Sequence, residues 1–326
     1  MTMPTRRAIA TLAAIAVLLT GLAAPLGALR GEDRLAVLTT TGMIADAARA
    51  VGGDQVAVEA LMGPGVDPHA YRQTRSDLVA LSRADLVLWH GLYLEAQMEE
   101  VLRDLAGRGR NVVAVAETLP ADRLIAHDDY PDRRDPHVWM DPTLWTGVVE
   151  AVRDALIATR PGAEAAFRAN AAAHLGEIEA LASYADGVLA SVPEGARVLV
   201  TAHDAFNYFG RSYGFQVMGI QGISTESEAG LRRIGDLVDL LVERGIGAVF
   251  VESSVSDRNI RALIEGAAAR DHTVVIGGEL YSDAMGAPGT YEGTYLGMID
   301  HNVTVIARAL GGKTPQRGMA DRLTLN

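Results

Sequence analysis

The sequence predicts an α/β protein with two similar lobes, each with a mostly parallel sheet, bridged by one long rigid helix. Three observations support this prediction. Strand-like apolar runs alternate with helical patterns in residues 35–118, the same plan recurs in residues 196–310, and a long helical stretch lies between them. Alternating strands and helices are typical of βαβ units and parallel sheets. A chain of 326 residues is long enough for about two domains.

The first lobe is predicted to contain four strands and two helices. The strands are 35–39, 56–61, 86–89 and 112–115, and the helices are 77–83 and 95–105. In the second lobe a strand begins near Val198, 161 residues after its counterpart at Val37. A helical pattern at Asp236 follows its counterpart at Asp77 by 159 residues. Similar offsets in the same order favour a duplicated design, and chance similarity between two βαβ units is the alternative.

The segment between the lobes is rich in helix signals. Asp141 can cap a helix and Pro142 suits its first position, while 160–162 (Arg-Pro-Gly) would end it. Apolar residues then recur at helical spacing as far as Val192. Thirty helical residues would span roughly 45 Å, and this Ala-rich connector should be stiff. The predicted domains are lobes 34–160 and 193–312, a linking helix 161–192 and a tail 313–326.

The N-terminus resembles an export signal. Arg6 and Arg7 precede 22 residues, Ala8 to Leu29, that contain no charged side chain, and small residues close the run. This pattern predicts a signal peptide over residues 1–28, cleaved to release a soluble periplasmic protein. An uncleaved membrane anchor is the alternative, because the run is long enough to span a bilayer.

Composition and motifs exclude several classes of protein. The formal net charge is −12 and there is no basic patch, so binding to nucleic acid is not expected. The chain contains no Cys, which excludes disulfides, thiolate metal ligands and the lipidated Cys of a bacterial lipoprotein. Motifs typical of zinc proteases, serine hydrolases and nucleotide-binding loops are also missing.

Three of the eight His share a setting that suits a metal. His69 and His137 each lie in an Asp-Pro-His tripeptide, and His203 directly follows the strand that begins at Val198. Ligands in α/β folds bind at the carboxyl ends of strands, and an Asp near a His can orient its imidazole. The other five His are predicted to be structural or solvated. Asp283 also follows a predicted strand, 273–276, but by itself it is an ordinary loop residue.

At this point the chain resembles the ZnuA/TroA/PsaA type of solute-binding protein, family 9, over residues 34–312. The resemblance is carried by Gly-Pro-Gly-Val-Asp-Pro-His69, Asp-Pro-His137-Val-Trp-Met-Asp-Pro, Thr-Ala-His203-Asp, Gly-Ile-Ser-Thr-Glu-Ser-Glu-Ala-Gly (222–230) and Leu-Tyr-Ser-Asp283. It implies the cluster A-I fold and four metal ligands: His69, His137, His203 and Asp283. Two departures are that the loop near His127 is acidic rather than His-rich, and that His203 stands where several manganese members have Glu.

We therefore expect a periplasmic receptor, not an enzyme, that carries a divalent metal to an ABC permease as a monomer. Three imidazoles and one carboxylate favour zinc, with manganese next and iron third. A periplasmic metal buffer, a zinc hydrolase and an adhesin are the alternatives. Binding should weaken below about pH 6, because ligand imidazoles must be neutral. The polar run 224–228 is expected to cap a helix beginning near Gly230.

Overall fold

Strands and helices alternate along the chain and fold into two α/β lobes, as predicted. The computed structural model describes residues 34–127, 132–227 and 229–324. The predicted signal peptide, residues 1–28, lies outside the described residues. Within the described part of the chain, no helix is both long enough and apolar enough to cross a membrane.

The described part of the first lobe carries four strands and four α-helices. They are β1 (Leu35–Thr39), α1 (Gly42–Gly52), β2 (Val56–Ala60), α2 (Arg75–Arg83), β3 (Leu86–Trp89), α3 (Glu99–Gly107), β4 (Val112–Ala114) and α4 (Pro142–Thr159). All strand pairs are parallel and the order across the sheet is β2-β1-β3-β4. β3 is buried along its whole length, as expected for an inner strand of a covered parallel sheet.

The second lobe repeats this arrangement. Its elements are β5 (Val198–Thr201), α6 (Asn207–Tyr213), β6 (Gln216–Gly219), α7 (Leu231–Arg244), β7 (Ala248–Glu252), α8 (Arg258–Ala268), β8 (Val275–Leu280) and α9 (Tyr295–Ala309). β5 pairs with β6 and β7 with β8, both in parallel, and β5 lies beside β7. The spatial order β6-β5-β7-β8 matches that of the first lobe, so the prediction of two similar lobes is confirmed.

A single helix, α5 (Glu164–Leu189), connects the lobes. Its 26 residues would span about 39 Å. The helix packs against α1 and α4 of the first lobe and against α9 of the second. Its buried face forms part of one apolar core that continues through both lobes. The long rigid helix is therefore confirmed, whereas the exact domain boundaries stay a prediction.

The signals that flank α4 act as predicted. Oδ1 of Asp141 accepts hydrogen bonds from the backbone N–H groups of Thr143 (2.9 Å) and Leu144 (3.1 Å), and Pro142 occupies the first turn. Two donors that a helix start leaves unpaired are thus satisfied. The helix ends at Thr159, immediately before the predicted break.

Two predicted elements differ from the structure by four residues at one end. The helix expected over 95–105 begins only at Glu99, because the buried carboxylate of Glu95 accepts hydrogen bonds from the backbone of the preceding loop. The strand expected over 273–276 instead runs to Leu280 and passes through two glycines. A Cβ on Gly277 would lie 2.9 Å from the ring of Phe250, so the glycine lets β7 and β8 approach closely.

Candidate metal centre

Four side chains from separate parts of the sequence meet in the cleft between the lobes. They are the four residues for which the resemblance implied a metal: His69, His137, His203 and Asp283. One ligand atom from each lies within 4.8 Å of the others. None of the four is more than 2% exposed. Two come from each lobe, so the cluster is complete only when the lobes are together.

The fold places each of the four at a loop or strand end. His203 follows β5 by two residues and Asp283 follows β8 by three, while His69 lies in the loop after β2 and His137 just before α4. The segment that carries Asp283 is fixed by the first lobe, because Nε1 of Trp139 donates to the carbonyl of Ser282 (2.8 Å). The carboxyl ends of the strands therefore form this site, as in other α/β folds.

The distances inside the cluster suit a first-row metal ion. Nε2 of His69 lies 3.2 Å from Nε2 of His137. Nε2 of His137 lies 3.4 Å from Oδ1 of Asp283, and Nε2 of His203 lies 3.2 Å from Oδ2. A tetrahedral ion with bonds of about 2.0–2.1 Å separates its ligand atoms by about 3.3–3.4 Å. Both oxygens of Asp283 face ring nitrogens, so this carboxylate can bind through one or both.

Two buried carboxylates fix the rings of two His residues. Oδ1 of Asp135 accepts from Nδ1 of His137 (2.7 Å) and from its backbone N–H (2.9 Å). Oε2 of Glu252 accepts from Nδ1 of His203 (2.6 Å), and Oε1 accepts from the backbone N–H (2.9 Å). With a proton held on Nδ1, each Nε2 points toward the centre of the cluster, and loss of any proton on Nε2 exposes the lone pair that a metal ligand requires.

His69 is held differently. Oδ1 of Asp67 accepts from the backbone N–H of His69 (2.8 Å), while its Oδ2 accepts from Thr225 Oγ1 (2.5 Å) of the other lobe. The Asp of each Asp-Pro-His tripeptide therefore bonds the following His, but only Asp135 reaches an imidazole nitrogen.

Burial and the neighbouring carboxylates set the charges of the cluster. Burial lowers the pKa of His69 to about 3. Burial also opposes the charged form of His137, but Asp135 and Asp283 outweigh it and raise the pKa to about 9. His203 behaves likewise: the attraction of Asp283 overcomes burial and raises the pKa well above its usual value. The same two imidazoles hold the pKa of the buried Asp283 well below its usual range.

The cluster contains buried polar atoms that have no hydrogen-bond partner. Nε2 of His203 and Oδ1 of Asp283 are buried and have no hydrogen-bond partner, although His203 and Asp283 are in ion-pair contact. Buried polar atoms are normally hydrogen-bonded. Two cluster atoms without such a partner are therefore suited to bind a ligand. Nitrogen and oxygen donors without sulfur fit a divalent ion of borderline hardness.

The remaining described His lie outside the cluster. Nε2 of His90 donates to the carbonyl of Pro136 (2.6 Å), next to His137, and its ring lies edge-on to Trp139 with 5.0 Å between centroids. His174 lies on α5 near Glu177, and His272 and His301 bond to backbone carbonyls. His90 is thus structural, as predicted, but it supports the loop that carries His137.

Sequence reasoning missed Glu252. It is the last residue of β7, only 4% exposed, and it orients His203 from a neighbouring strand. The sequence feature that could have identified Glu252 is its position as a single acidic residue at the end of an apolar strand. The rule that placed His203 at a strand end applies equally to Glu252.

Comparisons with known proteins agree with this geometry. The family model of ZnuA, described as zinc-uptake complex component A, periplasmic, matches residues 37–309. The chain is 49% identical over 279 residues to the manganese-binding lipoprotein MntA of Bacillus subtilis, which covers 86% of this chain and 90% of MntA. It is 31% identical over 276 residues to the iron-binding protein YfeA of Yersinia pestis, covering 84% and 86% of the two chains.

A third relative has a solved structure. The chain is 46% identical over 274 residues to the zinc-binding protein TroA of Treponema pallidum, covering 84% of this chain and 88% of TroA. The structure of periplasmic TroA matches with a TM-score of 0.83 at 45% identity, over 85% of this chain and 99% of that one. This chain therefore shares its two-lobed fold and long helix with TroA.

Proposed function

This chain belongs to the ZnuA family, and from that premise we propose that it is the metal-binding receptor of an ABC importer. It captures one divalent transition metal between its lobes and delivers it to a membrane permease. The observation that carries the proposal is the buried cluster of His69, His137, His203 and Asp283, with a ligand atom from each within 4.8 Å of the rest. Because each lobe supplies two ligands, binding the metal also holds the lobes together.

Zinc is the metal that we propose, with manganese next and iron third. The three relatives are named for manganese, zinc and iron, so similarity alone favours none of them. The donor set provides three imidazole nitrogens and one carboxylate. Imidazole suits zinc, manganese prefers oxygen, and zinc lies above manganese in the general affinity order.

Transport rather than catalysis is supported by the way the cluster is closed. Catalytic zinc sites keep three protein ligands and an open position for water. Here four protein side chains face one centre, and all four are buried. Two additional buried carboxylates beside the cluster, Asp135 and Glu252, are bonded to imidazoles and are not free to act as general bases.

The periplasm is the proposed location and an ABC permease the proposed partner. The family model describes a periplasmic component of an uptake complex, in agreement with the signal peptide that the sequence predicts over residues 1–28. A monomer suffices for this role, because one chain contains all four proposed ligands.

Metal content and uptake test the proposal. Protein purified without added metal should contain close to one divalent ion per chain by elemental analysis, and His137→Ala should contain far less. Deletion of the gene in the source organism should then slow uptake of that metal. Wild-type protein that neither retains nor binds zinc, manganese or iron would refute the proposal.

A further inference from the structure

A loop of the second lobe reaches across the cleft beside the metal cluster. We call residues 222–227, between β6 and α7, the strap. Thr225 Oγ1 donates a hydrogen bond to Asp67 Oδ2 of the first lobe (2.5 Å). Next to it, Nε2 of Gln97 in the first lobe donates to Oε1 of Glu226 (2.6 Å). Two consecutive strap residues thus join the lobes.

These contacts correct the sequence-based expectation for the strap. Its polar side chains were expected to cap the helix that begins near Gly230. The helix α7 begins at Leu231, and no side chain caps it among the described residues, which do not include Glu228. The hydroxyl of Thr225 instead donates across the cleft to the carboxylate of Asp67.

The strap is held in shape by its own lobe. Nε2 of Gln221, a side chain that is largely buried, donates to the backbone carbonyls of Thr225 (3.1 Å) and Ser227 (3.1 Å). A loop fixed in this way loses little conformational freedom when it closes. The hydroxyl of Thr225 is therefore presented to the first lobe by a prearranged backbone.

Asp67 connects the strap to a proposed metal ligand. One carboxylate oxygen accepts from Thr225 and the other accepts from the backbone N–H of His69 (2.8 Å). A carboxylate is a rigid planar group, so both bonds are made together only when the strap and His69 are in their present positions. Closure of the strap and placement of His69 are thus coupled through one side chain.

A polar cavity lies beside the strap. Its volume is about 210 Å³, and it is lined by Asp67 and Thr225 on one side and by Ser254 and Arg258 on the other. Oγ of Ser254 lies 3.5 Å from Oδ2 of Asp283. One residue that lines this cavity, Ser254, thus contacts a proposed metal ligand.

Several other contacts between the lobes are far more buried. Trp139 and Tyr295 are fully buried, and the hydroxyl of Tyr295 donates to the carbonyl of Trp139 (2.9 Å). Around them the apolar core continues from one lobe to the other. By comparison, Thr225 is half-buried and Glu226 is exposed. Local opening begins where few apolar contacts and many exposed hydrogen bonds are found, which places it at the strap.

We infer that Thr225 and Asp67 are positioning residues that close the strap over the bound metal and slow its release. This inference rests on the proposed function, because it assumes that the cluster binds a metal. Release then requires loss of the Thr225–Asp67 bond, which frees Asp67 to move and loosens His69. A partner that pulls on the strap would open the site without disturbing the buried core.

The test measures how fast zinc leaves the full-length protein. Zinc-loaded wild type, Thr225→Val and Thr225→Ser are mixed with an excess of a chelating dye in a stopped-flow instrument. Val keeps the shape of Thr and removes the donor, so release should be roughly three- to tenfold faster, as expected for loss of one partly exposed hydrogen bond to a charged group. Ser restores the donor and should release zinc like wild type.

Two further variants make the result specific. Thr146→Val is the matched control, because the hydroxyl of Thr146 bonds within its own helix to the carbonyl of Thr143 (2.7 Å) and should not affect release. Asp67→Asn should accelerate release, and adding Thr225→Val to it should have little further effect. Thermal unfolding of the metal-free proteins should be nearly the same for wild type and Thr225→Val.

The outcomes separate this inference from the proposed function. Equal release rates for wild type and Thr225→Val, or equal acceleration by Thr146→Val, would overturn the role of the strap and leave metal binding intact. Independent, additive effects of Thr225→Val and Asp67→Asn would also overturn it. A wild type that binds no zinc, manganese or iron would overturn the proposed function and this inference together.

Discussion

Glu252 accepts two hydrogen bonds from His203: Oε1 from the backbone N–H of His203 (2.9 Å) and Oε2 from its Nδ1 (2.6 Å). In the first lobe Asp135 likewise accepts from the backbone N–H and from Nδ1 of His137. Each lobe thus uses one buried carboxylate to fix both the backbone and the ring of a proposed ligand. The arrangement sets the tautomer and the direction of each Nε2 before any metal arrives.

The first prediction concerns these two carboxylates. Replacing Glu252 by Gln removes the charge that supports the imidazole of His203, and it should weaken zinc binding by about 10- to 100-fold. Asp135→Asn should have a similar effect on His137. Glu279→Gln, an exposed residue on β8, is the matched control and should leave affinity unchanged. Competition against a zinc dye measures all three, and a Glu252→Gln affinity within twofold of wild type would contradict this role.

The second prediction concerns the ligand set. Removing any one imidazole, as in His69→Ala, His137→Ala or His203→Ala, should weaken zinc binding by more than about 100-fold, because a ligand contributes more than the groups that orient it. The Asp283→Ala variant should be equally affected. His174→Ala, at a buried position on α5 remote from the cluster, should bind zinc normally. If His174→Ala lost zinc as severely as His137→Ala, the assignment would be wrong.

His90 provides an intermediate case. Its imidazole supports the carbonyl of Pro136, so His90→Ala should shift the adjacent His137 and lower the thermal stability of the protein. The loss of affinity should be much smaller than for His137→Ala, because His90 does not face the metal. Parallel thermal unfolding and zinc titration separate these two effects.

The third prediction is that each metal ion displaces about two protons at pH 7. In the metal-free protein the pKa of His137 is raised to about 9 and that of His203 is raised well above its usual value, so both are charged at pH 7. The pKa of His69 is lowered to about 3, so this ring is already neutral. Three unperturbed imidazoles would together release fewer than about one proton at this pH.

The pH dependence follows from these pKa values. Zinc affinity should fall by up to about 100-fold for each pH unit from about pH 7 to 5, because two protons compete with each ion. This range is wider than the weakening below about pH 6 that unperturbed imidazoles predict. Calorimetry in buffers with different ionisation enthalpies counts the protons directly. Release of fewer than one proton per zinc would show that the metal-free rings are not charged.

Folding stability of the metal-free protein should decrease as pH rises, whereas zinc affinity should increase. A raised pKa in the folded state stabilises the fold fully below the unfolded value of about 6.5, and this contribution is lost as pH rises through the folded value. For His137 the window is therefore about pH 6.5 to 9. Thermal unfolding of metal-free protein should occur at lower temperature at pH 9 than at pH 7, while zinc-loaded protein should change less.

The sequence predicted the fold and singled out four side chains that the structure brings together, for reasons visible in particular residues. Asp141 and Pro142 specify a helix start by local chemistry, and the strand runs of the two lobes carry their own apolar signal. His69, His137 and His203 share strand-end or loop positions, so local pattern alone separated them from the other His. Asp283 had no such local signal and depended on family resemblance.

The features that the sequence did not predict depend on contacts between distant segments. Glu252 is 49 residues from His203, and Thr225 is 158 residues from Asp67. Residues so far apart in the sequence leave no periodic or local pattern that would show that they are in contact. The extension of β8 through Gly277 likewise depends on the ring of Phe250 on the neighbouring strand, since two consecutive glycines usually indicate a loop.

The last prediction is that zinc binds more tightly than manganese. Nitrogen donors outnumber carboxylates three to one, and the separations of 3.2–3.4 Å between Nε2 and carboxylate or imidazole atoms suit a four-coordinate ion. Manganese prefers oxygen and about six donors, whereas even a bidentate Asp283 raises the count only to five. Competitive titration of metal-free protein should show zinc binding at least about 100-fold more tightly and displacing bound manganese. Manganese that binds as tightly as zinc, and that zinc fails to displace, would instead mean that the bidentate carboxylate and the fixed separation of the lobes outweigh the nitrogen donors.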